Sequence, residues 1–269
     1  MGLHSPTPGT PFHVLEIQGL PKAGKTHLAG TAPGKVVIQS TDGGWDGVVQ
    51  KIAGYEEKFL VENYIMEIDL QADDLLRSGD KKGAEEAAIK QANRITRETW
   101  NPLARDAHFA FTDASVRTLV WDLADQINEI LRLANFGRLE KVPQINYGLV
   151  NAEYKSTIAQ AHKHRKNMVL INGMKQKYRT VLTDDSKEKS VPVPGVFEAR
   201  GNDSAGYLIH SQVECRFVAA VGDQGPTWYT KILMSRLNPE VTGMEVANVD
   251  WNTLMMLLAP AVPTELWEG

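Results

Sequence analysis

The sequence predicts an α/β protein, with a mainly parallel sheet flanked by helices and extended late in the chain by an antiparallel hairpin. Three observations predict it. A glycine-rich segment, residues 19–26, joins an apolar run to a helical one. Short runs rich in β-branched residues alternate with helical patterns through the first two thirds of the chain. Near the end, two apolar runs flank Gly-Asp-Gln-Gly-Pro, which is a hairpin signal.

Taken in order, HVLEIQG (13–19) reads as a short buried strand, and the helix opening at Lys25 stops before Pro33-Gly34. KVVIQST (35–41) is a second strand, closed by the turn signal Asp42-Gly43-Gly44. YIMEIDL (64–70) fits either an edge strand or the start of a helix. From about 72 to 107, apolar residues such as Leu75, Leu76, Ala88, Ala92 and Ile95 recur among charges at helical spacing. That stretch reads as one or two solvated packing helices inserted between core strands. VRTLVWD (116–122) is a third strand, followed by an amphipathic helix over 123–135 and another over 149–166. MVLING (168–173) is apolar throughout, as a strand covered on both faces would be. Residues 174–205 are charged and rich in Pro and Gly, and read as a long loop containing a hairpin. The apolar runs 213–221 and 227–235 form the late hairpin, and DWNTLMMLLAP (250–260) closes the chain as a helix. Residues 1–11 are expected to be a flexible lead-in to one domain spanning 12–269.

Composition narrows the function classes. The chain has 269 residues, 42% hydrophobic and 23% charged, with a formal net charge of −4. Such a balance argues against a strongly basic protein that coats duplex DNA, though local basic loops remain able to hold a strand. No apolar stretch approaches the roughly 20 residues of a membrane helix, and the N-terminus lacks the pattern of a secretory signal. The single cysteine, Cys215, rules out an intramolecular disulfide and fits a reducing, cytoplasmic setting. It lies in an apolar run and reads as a packed thiol.

The segment GLPKAGKT matches G-x-x-x-x-G-K-[ST] through Gly19, Gly24, Lys25 and Thr26. Its glycines let the backbone curl so that N–H groups point at phosphate oxygens. Lys25 would reach the outer phosphates as a compact cation, and Thr26 would ligate Mg²⁺ through its hydroxyl. The expected nucleotide-binding residues are Gly19, Leu20, Pro21, Lys22, Ala23, Gly24, Lys25, Thr26 and His27, with ATP and Mg²⁺ as the cofactors. A magnesium-bound triphosphate needs a second carboxylate at the end of a neighbouring strand. Asp122 is the first candidate, and Asp125, one helical turn on, is the weaker one. Asp42 ends the second strand, where it would either orient an attacking water or form a turn before the glycine pair.

The order GLPKAGKT, KVVIQSTDGG, RTLVWD, MVLING, KILMSRLNP resembles the RecA-like phage P-loop ATPases of the AAA_24 type, including the Sak-type group that assists single-strand annealing in recombination. The resemblance covers most of residues 12–240 apart from the inserted stretch. It implies a RecA-like core and a hydrolytic role for Asp42, through the acidic-Gly-Gly motif. It implies the metal role for Asp122, a polar sensor at Asn172 or Gln176, and trans-acting Arg236, although Met234 stands where some relatives carry Lys. It also implies that the loop after the fourth strand holds single-stranded DNA. Lys175, Lys177, Tyr178 and Arg179 supply the cations and the stacking ring for that, diluted by Asp184, Asp185 and Glu188. The second basic cluster, His162 to Lys166, precedes a strand and reads as a solvated helix end away from the nucleotide.

The expected function is that of an ATP-hydrolysing, oligomeric protein acting on single-stranded DNA in recombination or replication, beside a single-strand binding protein or replication partner. Its rival is a non-hydrolysing, nucleotide-gated loader module. A small-molecule kinase fits less well, because the 174–205 segment carries only Arg179 and Arg200 where such enzymes have an arginine-rich lid.

Overall fold

A computed structural model describes residues 11–45, 47–52, 54–65, 81–136, 147–182, 188–200, 203–220 and 225–267. The lead-in (1–10), the stretch 66–80 and the late hairpin's tip (221–224) lie outside the described residues.

Among the described residues ten strands appear in chain order. They are β1 (Val14–Gly19), β2 (Lys35–Ser40), β3 (Phe59–Asn63), β4 (Val116–Asp122), β5 (Asn167–Asn172), β6 (Met174–Leu182), β7 (Glu188–Ala199), β8 (Ser211–Val218), β9 (Thr227–Ser235) and β10 (Glu245–Ala247). Eight form one sheet in the order β10-β9-β8-β1-β5-β4-β2-β3, and β6 and β7 form a separate two-stranded arm. From β8 to β3 every pairing is parallel, and β9 and β10 add an antiparallel edge. This is the mainly parallel sheet with a late antiparallel hairpin that the alternation of runs predicts.

The sheet is covered on both faces, which explains why β4 and β5 read as continuous apolar runs. Helices α3 (Lys81–Thr112), α4 (Ala124–Phe136) and α5 (Tyr147–His164) pack on one face. Helices α1 (Lys25–Gly30) and α6 (Trp251–Leu258) pack on the other. A four-residue helix, α2 (Tyr55–Lys58), leads into β3. Alternate residues of β1 serve the two cores, Val14 on the α3 side and Leu15 and Ile17 on the α1 side.

Some expectations change. The edge strand is Phe59–Asn63 rather than 64–70. Tyr64 sits beyond its end with its hydroxyl donating to Asp106 at 2.6 Å, and 66–70 lie outside the described residues. The described part of 72–107 belongs to α3, and it is not merely solvated. Trp100, Leu103 and Ala107 are buried in the core between α3 and the sheet. The segment 174–205 is built chiefly of the β6–β7 arm rather than loop. His162 is not simply solvated either, since its Nε2 lies 2.7 Å from the Leu208 carbonyl and its ring meets Phe12 and His210.

Candidate functional site: the loop at the mouth of the sheet

In an open parallel sheet the strand ends carrying the connecting loops form the ligand-binding edge. Here the 19–26 loop leaves β1, and β1 is separated from β4 by β5 alone. Two glycines fit this loop for steric reasons. A Cβ on Gly19 would stand 2.5 Å from the Cys215 carbonyl oxygen, so β8 approaches β1 too closely there for any side chain. Gly24 has φ +91°, and a Cβ on it would meet the Trp228 ring at 2.6 Å. Lys22 also takes a left-handed conformation (φ 65°), and the Ala23 N–H bonds the Leu20 carbonyl, which completes the curl.

Lys25 is folded into this loop. Its ammonium donates to the Gly19 and Leu20 carbonyls at 2.9 and 3.0 Å. Burial lowers its pKa, against the opposing pull of Asp122, Cys215, Asp42 and Asp125. Thr26, one residue on, donates its hydroxyl to Asp122 Oδ2 at 3.1 Å. The two residues expected to share a metal are therefore in contact, although 96 positions separate them.

Register explains how Asp122 and Asp42 meet. Ser40 pairs with Asp122 across β2 and β4, and the Thr41 N–H donates to the Asp122 carbonyl at 2.7 Å. The Thr41 hydroxyl accepts the Leu123 N–H at 2.9 Å, which ties the two strand ends together. Asp42 follows immediately. Its Oδ1 accepts the Gly44 N–H at 2.9 Å and lies 3.3 Å from the donating Ser40 hydroxyl. The turn-forming reading of Asp42 is thus the one these contacts describe, and its charge also acts on Asp122. Trp45 anchors the turn, fully buried with its ring 6.2 Å from that of Phe59. A tryptophan directly after Asp-Gly-Gly was the sequence signal for this anchor, and it went unused.

Asp122 is 2% exposed, and its pKa is pushed up to about 7. Burial is the largest cause and the charge of Asp42 the next, while the Thr26 bond and Lys25 pull the other way. Two carboxylates facing one ammonium make a site short of positive charge. That fits a hard divalent cation held by one carboxylate, one hydroxyl and phosphate oxygens. Among the described residues no group of three or more His, Cys, Asp or Glu side chains forms a self-sufficient metal site. The donor set therefore fits a cation that arrives with phosphates.

Asn172 ends β5, 2% exposed, with its Nδ2 donating to Glu16 Oε1 at 2.6 Å. The Gln212 amide donates to the other Glu16 oxygen at 2.7 Å. A carboxylate flanked by two amides accepts from both, which fixes the Asn172 amide with its Oδ1 turned away. That Oδ1 is buried and has no hydrogen-bond partner among the described residues. Asp125 stands nearby, with Oδ1 3.4 Å from the Gly173 N–H, and its pKa is raised chiefly by burial. Arg200 returns from the arm to donate its N–H to the Gly173 carbonyl at 2.9 Å. Arg200 and Glu16 are residues that motif reading missed, because neither stands in a recognisable pattern.

Two residues lie away from this site, Gln176 and Arg236, the latter expected to act on a neighbouring copy's nucleotide. Gln176 donates its side-chain amide to the Val193 and Val196 carbonyls, inside the arm. Arg236 follows β9, whose antiparallel course carries it to the opposite end of the sheet, level with Ser211 and the start of β1. There its guanidinium donates to the Gly206 and Tyr207 carbonyls, both at 2.9 Å. Within its own chain it does not face the loop.

The arm leaves the same sheet edge as the loop, with Gly173 between it and β5. Lys175, Lys177, Tyr178 and Arg179 are all exposed on β6, and Lys175 makes a surface ion pair with Glu198 at 3.4 Å. A cleft of about 460 Å³ separates arm residues 195–197 from Leu20, Pro21, Lys22 and Ala23 of the loop.

The comparisons with known proteins add little. No family model matches the chain, and no curated protein matches it. Among solved structures the chain is similar to a KaiC-like protein from the hyperthermophilic archaeon Pyrococcus horikoshii. The identity is 11% and the TM-score 0.41, over 87% of this chain and 84% of that one. A likeness at that level says nothing of activity. What defines the class of this protein is its own strand order and the contact between the glycine-rich loop and Asp122.

Proposed function

We propose that the protein binds and hydrolyses a magnesium–nucleoside triphosphate, ATP above all, and that it does so while acting on single-stranded DNA. The observation that carries the reading is the 3.1 Å bond from Thr26 to Asp122, set beneath a curled loop and a half-sequestered lysine. The loop's N–H groups would donate to phosphate oxygens, and Lys25, released from the Gly19 and Leu20 carbonyls, would neutralise the outer phosphates. Bound Mg²⁺ would supply further neutralisation of the charge that develops on the transferred phosphoryl group. Asp122 and Thr26 would hold that ion. Asp42 would orient the attacking water, and the unpartnered Asn172 Oδ1 offers that water an acceptor.

The role in phage recombination or replication rests on the motif order, and the role on DNA rests on the exposed cations and tyrosine of the arm. Arg236 would serve a neighbouring copy in a homo-oligomer. One observation favours the rival, a slowly turning nucleotide-gated loader, because Asp42 Oδ1 is committed to the Gly44 N–H and the Ser40 hydroxyl.

Turnover measured with and without single-stranded DNA decides between them. We expect stimulation by DNA, and loss of tight ATP binding or of turnover in Lys25→Ala. Full ATPase activity in Lys25→Ala would overturn the nucleotide reading. Flat, low turnover at saturating DNA would establish the loader instead.

A further inference from the structure

Six tryptophans punctuate this chain, and five are buried for core packing. Trp45, Trp121 and Trp251 are fully buried, Trp267 is 1% exposed and Trp100 7%. Trp228 is 44% exposed, and its neighbour across the strand pair, Phe217, is also 44% exposed. Two large apolar rings side by side in water are costly to maintain without an occupant.

Register shows where they stand. Gly19 pairs with Cys215, Cys215 with Thr230, and Phe217 with Trp228. The aromatic pair therefore extends one alternate position beyond the end of β1, roughly 7 Å past Gly19 at the rise of a strand. Cys215 belongs to the core on the α1 side of the sheet, and Phe217 follows it on that face. The two rings meet at 5.2 Å between centroids, tilted by 46°. The Trp228 ring also lies against Gly24, where a Cβ would come within 2.6 Å of it. His27 is exposed three residues after Gly24, so both lie on the same side of that turn. The backbone of Trp228 is held in turn by Asn248, which accepts its N–H through Oδ1 at 3.2 Å and donates its own N–H to the Trp228 carbonyl at 2.7 Å.

We propose that Trp228, backed by Phe217, is the stacking platform for the base of the nucleoside triphosphate whose phosphates the 19–26 loop holds. This inference rests on the phosphate role of that loop and adds the part of the ligand the loop cannot read. The occupant is a nucleobase for three reasons. The platform is continuous with the phosphate loop through Gly24. It is flat and apolar, as a base face requires. It sits beside the first helical turn, where the sugar and base leave the phosphates. Stacking on an indole tolerates any base, so the platform supplies affinity for the nucleoside without choosing among bases by hydrogen bonds.

The test compares MgATP with magnesium tripolyphosphate, which carries the phosphates and no base. Because Trp228 is the exposed tryptophan, acrylamide quenching of the intrinsic fluorescence reports on it. MgATP should shield that fluorescence and tripolyphosphate should not. In calorimetry, Trp228→Ala should weaken MgATP roughly 5- to 150-fold, the range found when a base loses its aromatic partner. It should leave tripolyphosphate affinity unchanged, and Trp228→Phe should restore most of the loss. No shielding by MgATP, or equal loss of both ligands in Trp228→Ala, overturns the platform. The second result would mean that the indole merely props the loop through Gly24. If the parent protein binds neither ligand, the phosphate reading itself falls, and calorimetry on that protein shows it before any variant is made.

Discussion

At the scale of single residues, the site trades stability for charge. Asp122 is buried beside Asp42, and its pKa of about 7 means that ionising it in the folded chain is unfavourable. A raised carboxylate pKa contributes stability while the group is protonated, and that contribution disappears as pH rises from about 4 to about 7. At pH 8 the folded protein carries the full cost, about 2 kcal/mol once solvent relaxation is allowed for. Asp122→Asn keeps an acceptor for the Thr26 hydroxyl and removes the charge. We therefore expect the variant to melt about 4–8 °C higher at pH 8. It should also lose the tightening of nucleotide binding by Mg²⁺. A melting temperature at or below that of the parent would show that Asp122 is held by compensation other than that described above. The same competition between proton and cation gives a sign for the parent, in which Mg²⁺-dependent ATP affinity should rise between pH 6 and pH 8.

At the scale of elements, the proposed DNA contact would fall on the β6–β7 arm. It branches from β5 right after Asn172, and Arg200 and Gly173 close its base beside Asp125. A strand lying along β6 would meet Lys175, Lys177 and Arg179. Replacing all three by alanine should weaken single-stranded DNA binding and lower the slope of log affinity against log salt by roughly 2, at about 0.7 per phosphate contact. Nucleotide affinity without DNA should stay as it is. An unchanged salt slope would remove the arm from the DNA surface. How far each element was legible follows from the kind of pattern it carries. The alternation of apolar runs placed β1, β2, β4 and β5 within a residue or two, because burial on both faces leaves little choice of residue, and it placed β9 and, to within three residues, β8 as the late hairpin. The 19–26 loop and Asp122 were legible for the same local reason, as one is a motif and the other a strand end. β3 was not, since Leu60, Glu62 and Asn63 are exposed on an edge strand and supply no apolar run. Trp228 was invisible as a site residue because its proximity to Gly24 arises from pairing across β1, β8 and β9. The place of Arg236 at the far end of the sheet follows from the late hairpin, since β9 runs antiparallel to β8.

At the scale of the whole molecule, the two ends of the sheet titrate in opposite senses. The end opposite the loop carries a ring cluster of Phe12, His13, His162 and His210. His13 is fully buried, and both its ring nitrogens lack partners among the described residues. Burial, then the neighbouring His210, lowers its pKa to about 3. Burial, then His162 and Arg236, lowers that of His210 to about 4. The His210 Nδ1 accepts the Val14 N–H at 3.1 Å, a bond that only the neutral ring can make. Arg165, whose guanidinium lies 5.2 Å from the centre of the Phe12 ring, adds positive charge to the same region. A histidine whose pKa is depressed on folding contributes stability above its unfolded value near 6.5 and loses it on acidification. For His13 the slope is about 1.4 kcal/mol per pH unit between roughly 6 and 3. Asp122 works against this between about 4 and 7, because there the folded state binds the extra proton. Two histidines against one aspartate leave a net loss of stability as pH falls below about 6, shallower than the histidines alone would give. Melting temperature followed from pH 7.5 to pH 4.5 should therefore decline in the parent, decline more steeply in Asp122→Asn, and flatten in His13→Gln, whose amide does not titrate. The slope is the readout, since filling the His13 position with an amide shifts the whole curve regardless of pH. If His13→Gln keeps the parent's slope, acid sensitivity does not originate in this cluster. The loss would then have to come from carboxylates whose pKa folding lowers, such as Asp250 at the start of α6, and Asp122→Asn would steepen the curve all the same.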